Sequence, residues 1–159
     1  MHSVVCPQRA QYRLISGSWE DVPGFVHMSS PHGGIDIAEV LVHECAHQYF
    51  YMLQRLGPMD DASDATLYWS PPIRKNRPLS RVLMAYHALA NVQLLYRAVR
   101  DNPANGEAVV RYVTVNEPDL QAAIRTLDEP LRHNPALTGF GRGLYEPLAA
   151  HMATLGICP

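Results

Sequence analysis

Charge is scarce in this 159-residue chain, where Asp, Glu, Lys and Arg make up 18% of the residues against about 25% in an ordinary soluble domain. That leaves room for a pocket or a partner to cover some of the surface. The formal net charge of −2 gives no sequence-wide attraction to phosphate backbones or anionic lipid, so nucleic acid and membrane are not expected as partners. Long apolar runs are missing too. No segment reaches the roughly 18 uninterrupted apolar residues of a membrane span, and "MHSVVCPQRAQYR" lacks the charged start and apolar stretch of a secretory leader. Cys6, Cys45 and Cys158 cannot all pair within one molecule, and none lies in a CxxC arrangement. This argues against a thiolate zinc site and for a reducing, cytoplasmic setting. No repeat or low-complexity tract is visible.

What the chain does have is 47% hydrophobic residues, enough at this length for one core and one domain, residues 1–159. "QYRLI" (11–15) and "GFVHM" (24–28) are short β-prone runs divided by a turn-rich piece, which suits a hairpin or an irregular link. Asp36, with Glu39 three residues on, reads as a capping box. From there Ile37, Val40, Leu41, Cys45, Tyr49, Met52, Leu53 and Leu56 recur at helical spacing until Gly57-Pro58. "LYWSPPIRKNRPLS" is proline-rich and basic, and reads as irregular. Ser80 then caps a second long helix, "RVLMAYHALANVQLLYRAVR", apolar almost all round and therefore central. Residues 104–115 and 118–128 read as two further helices, with the Val-Thr-Val piece also compatible with a strand. "TGFGRGLYEPLAAHMATLG" makes a last helix in which Pro147 is either a kink or the true start. The fold class expected is α+β, mainly α: a zincin-like helical domain with a small N-terminal hairpin or sheet and a metal site between two long helices.

The first long helix contains "HECAH". Residues four apart share a helix face, about 5 to 6 Å between Cβ atoms, so His43 and His47 can present two imidazoles to one ion. Glu44 lies about 100° around, from where a zinc peptidase's glutamate reaches metal-bound water as general base. The plainer alternative is a hydrogen-bonded core histidine pair. A catalytic metal also needs a third protein ligand. Phe50 and Leu53 stand where a metzincin has glycine and histidine, which excludes that family. A gluzincin carboxylate is not matched either, since Asn116-Glu117 is followed by Pro118 and Leu120.

His87 remains, alone among apolar neighbours in the second helix, where a buried imidazole must find either a backbone partner or a cation. With a two-histidine site wanting a ligand, His87 is the preferred third donor. Asp60, Asp61 and Asp64 compete from a polar loop. Arg74, Lys75, Arg77 and Arg81 precede His87 and could bring a guanidinium to a carboxylate co-ligand, or simply form a solvated basic loop.

These pieces resemble a family. "VPGFVHMS", "LVHECAHQYFYML", "YWSPPIRKNRPL", "LMAYHALANVQLLYR" and "LTGFGRGLYEPL" are similar to the HExxH-type peptide β-hydroxylases of bacterial peptide natural-product clusters, covering most of residues 22–150. The resemblance implies Fe(II) and α-ketoglutarate as cofactors and a ribosomal precursor peptide as substrate. It implies His43, His47 and His87 as metal ligands and Arg77, with Arg74 as substitute, for the distal carboxylate of α-ketoglutarate. Glu44 would then act outside the metal's own ligands, orienting water or the substrate amide. A Pro-Pro-Ile run stands where relatives often have Pro-Trp. Two other readings stay open: a minimal Zn(II) peptidase with Glu44 as general base, and a non-enzymatic helical binding domain.

Overall fold

A computed structural model of the chain describes residues 16–29 and 33–159. Among these residues lie four helices and two antiparallel strand pairs, a mainly helical α+β arrangement. The segment 11–15 lies outside the described residues. An N-terminal hairpin is there: β2 (Val26–Met28) falls within the expected run 24–28, and it pairs with β1 (Ser16–Ser18), which lies in what read as the link, Ser16 opposite Met28 and Ser18 opposite Val26. Gly24 turns the connection at φ +79°, a conformation that costs glycine little.

Helix α1 (Gly34–Gln54) carries the histidine motif as the periodicity predicts, but it starts without the capping box. Gly33 is its N-cap, so Asp36 lies inside the first turn rather than at the cap. Glu39 faces inward instead, its Oε2 accepting from Tyr96 at 2.6 Å and Tyr112 at 2.9 Å. Two long-range phenol donors outcompete a local backbone N–H.

The proline-rich stretch is not irregular. β3 (Tyr68–Ser70) and β4 (Lys75–Arg77) form a second hairpin, Tyr68 opposite Arg77. Its prolines fall in the turn and just after β4, where no ladder N–H is required. Ser80 is not a cap, because α2 (Leu79–Asp101) begins after Pro78 with no side-chain cap bond. From Val82 to Ala88 the helix is buried without a break, and it packs on α1 and on the two helices that follow, so it is the central element.

The two helices expected across 104–128 are one, α3 (Glu107–Leu131), running through both Pro118 and Pro130. An internal proline removes a backbone bond and costs about 3 kcal/mol. Here burial of Val113, Ile124, Leu127 and Leu131 against α2 offsets it. In α4 (Gly139–Thr154) Thr138 caps the start, accepting from the Gly141 N–H, and Pro147 sits in the interior rather than at the start.

Candidate metal centre

Helix α1 shows different chemistry on successive faces, since each residue advances about 100°. One face holds the histidine pair. The Nε2 atoms of His43 and His47 are 3.0 Å apart, with the rings edge to face. Two nitrogens about 2.1 Å from one ion and about 90° apart would be about 3.0 Å from each other, and the same distance suits an N–H···N bond between neutral rings.

A quarter-turn away, Glu44 is buried and fully engaged. Its Oε1 accepts from the Ser16 hydroxyl at 2.6 Å and its Oε2 from the Ser18 hydroxyl at 2.7 Å. Gln48, four residues on, continues the same seam, donating to the Trp19 carbonyl and accepting from the Gly24 N–H. The two serines are functional neighbours that the sequence reading missed. A signal for them existed: in a strand, residues i and i+2 project to one face, so "SGS" presents two hydroxyls together.

His87 is buried on the other flank of α1. Its ring stacks on Tyr49, centroids 6.0 Å apart, lies 6.4 Å from the Phe50 ring, and has the Ala46 backbone oxygen beside it. Ala46, Tyr49 and Phe50 lie about 80°, 140° and 40° round α1 from the middle of the histidine pair, all on one flank of it. Among the described residues no three His, Cys, Asp or Glu side chains are gathered closely enough to hold one ion. The structure thus brings the Nε2 atoms of His43 and His47 together, with His87 on the neighbouring helix α2 near enough to act on His47 through its charge. The Nδ1 atoms of His47 and His87 are buried without a partner, so His87 remains a donor in want of one.

Electrostatics favour the ligand form of all three rings. Burial holds His47 down at about 3, and His43, His87, Arg77 and Arg81 push the same way. Burial also lowers His43, against the opposing pull of Glu44 and Glu39, and lowers His87, against the Ala46 backbone oxygen. Uncharged imidazole is what coordinates a cation.

Of the basic cluster, Arg77 and Arg81 act on His47 through their charge and Arg81 acts on Arg77, whereas Arg74 occupies the β3–β4 turn at φ +54°. Neither Arg77 nor Arg81 has a carboxylate partner among the described residues. Burial and the nearby Arg81 lower Arg77 from its usual value. Arg81, in the first turn of α2, is thus better placed than Arg74 as a second guanidinium. Tyr51 adds a phenol ring 6.5 Å from that of His47.

The loop aspartates are occupied elsewhere. Asp60 and Asp61 accept from the loop N–H groups of Ala62 and Ser63. Asp64 accepts from Tyr68 and Asn134, bonds that hold its carboxyl well below the usual range. Glu117 is tied to Gln93 and Arg100.

No helix among the described residues is long and apolar enough to cross a membrane. Compared with protein-family models and with curated proteins, the chain matches none.

Proposed function

We propose that the chain is a metal-dependent peptide-modifying enzyme that uses Fe(II) and α-ketoglutarate to hydroxylate a precursor peptide. The observation that carries this reading is the pair of neutral imidazoles, His43 and His47, beside two guanidiniums, Arg77 and Arg81, that have no carboxylate partner among the described residues. A cation and a dicarboxylate are the complements of those two halves.

In this reading His43 and His47 hold the metal, with His87 as the third nitrogen. Arg77, assisted by Arg81, binds the distal carboxylate of α-ketoglutarate. Glu44 holds β1 against α1. With both cofactors bound, the group supplies an oxidant for a C–H bond: O₂ gives one atom to the peptide and one to the succinate formed as CO₂ leaves. The cytoplasmic setting belongs to the same reading, through three cysteines that include no CxxC pair.

A zinc peptidase needs Glu44 free to take a proton from water. Both of its oxygens already accept from serine, which weighs against that alternative. The deciding experiment incubates anaerobically purified protein with iron(II), α-ketoglutarate and the candidate peptide, then admits O₂. Succinate formed in step with a peptide heavier by one oxygen supports the proposal. Peptide cleavage with zinc, or no consumption of α-ketoglutarate, overturns it.

A further inference from the structure

The outer side of α1 is apolar along almost its whole length. Ile37, Leu41, Cys45, Tyr49, Met52 and Leu56 are all exposed, Met52 by 53% and Leu56 by 71%. At 100° and 1.5 Å per residue, Ile37 to Met52 form a band about 120° wide and about 22 Å long on the side of α1 opposite His43 and His47, with Leu56 just beyond the helix end. Arg55 lies at its edge, and its guanidinium donates to the Glu20 carbonyl.

The band continues onto the first hairpin. Gln48 ties the Trp19–Gly24 connection alongside it, and Trp19, Val22 and Phe25 are each about half exposed there. At these exposures the nine residues together expose on the order of 900 Å², with the exposed Glu20 and Asp21 between Trp19 and Val22. That exceeds the roughly 300–600 Å² of the largest patch on a typical monomer and matches the about 800 Å² per partner of a standard interface.

The geometry points to a second copy of this chain as the occupant: we propose that the protein is a two-fold dimer in which the α1 bands of two copies pack on each other. Ile37, Leu41, Cys45 and Tyr49 form one i, i+4 ridge, and two such ridges interdigitate at a crossing angle of about −50°, the commonest helix packing. The band is therefore complementary to itself, as a two-fold interface requires. A net charge of −2 offers little repulsion. Packing on this side leaves the histidine face open.

Light scattering of the full chain at about 100 µM, above the micromolar affinity of the weaker standard-sized interfaces, reads the mass directly. The expected value is twice the 17.7 kDa of one chain. Leu41→Glu and Met52→Glu, both at exposed positions, should each weaken the dimer at least 100-fold while leaving the circular dichroism unchanged. A bismaleimide should link Cys45 to Cys45 of the second copy. The proposal is overturned by a monomer at that concentration, whether Cys45 is then protected from alkylation by the chain itself or open to a bound peptide. It is equally overturned by a dimer that survives both substitutions.

Discussion

Ser16 donates its hydroxyl to a carboxylate oxygen of Glu44 at 2.6 Å, so the glutamate of the histidine motif is bound to the first strand. Hydrogen bonds to a charged acceptor contribute about 1.5–3 kcal/mol, and Ser18 supplies the second. Glu44→Gln should therefore lose about 1–3 kcal/mol in urea unfolding while keeping peptide hydroxylation. Unchanged stability with abolished turnover would mean that Glu44 acts on the substrate.

Arg77 and Arg81 should separate from Arg74 in kinetics. Removing a guanidinium that binds a carboxylate costs about 1.5–3 kcal/mol, or about 10- to 100-fold. Arg77→Ala should raise KM for α-ketoglutarate by about that factor and Arg81→Ala by about tenfold, whereas Arg74→Ala should change it less than about twofold. An effect of Arg74→Ala equal to that of Arg77→Ala would contradict the assignment.

The phenols of Tyr96 and Tyr112 converge on Glu39, and burial, then Glu39, raises both above their ordinary value. Burial likewise pushes the Cys158 thiol up to about 11. The unfolded chain would release these protons first, from about pH 9 for the thiol and about pH 10 for the phenols. The contribution of these groups is thus full below about pH 9 and is lost as pH rises through the folded-state values. Denaturant midpoints measured from pH 8 to 11 should fall, and Cys158→Ala should flatten the decline between pH 9 and 10. A midpoint rising with pH would have the wrong sign.

Gly141 sits where a Cβ would come within 2.1 Å of the Met59 backbone oxygen. Thr138 also bonds to the Pro58 and Met59 carbonyls, fixing that approach. Gly141→Ala should cost at least about 2 kcal/mol and lower Tm by about 5 °C or more. A melting curve that did not shift would show that the 58–60 segment can move aside.

Where local periodicity met burial, as in α1 and α2, the elements and the His43–His47 pairing were legible in the sequence. Proline misled twice. Pro118 read as a boundary inside what is one helix, because packing of Ile124 and Leu127 outweighs a missing backbone bond. The prolines near Trp69 read as irregular chain around what is a hairpin. Glu39 read as a cap because its phenol partners lie 57 and 73 residues away, and the serines that hold Glu44 lie 26 and 28 residues away. Separations of that kind leave no mark on local pattern. Choosing between Arg74 and Arg81 depended on the course of a turn, which composition does not convey.

The metal stoichiometry of anaerobically loaded protein tests the central claim most directly. Iron(II) measured after desalting should give one ion per chain in the wild type, and close to none after His43→Ala or His47→Ala, with His87→Ala weakening retention at least about tenfold. A wild-type chain that keeps no iron(II), or variants at 43 and 47 that keep it fully, would contradict the account.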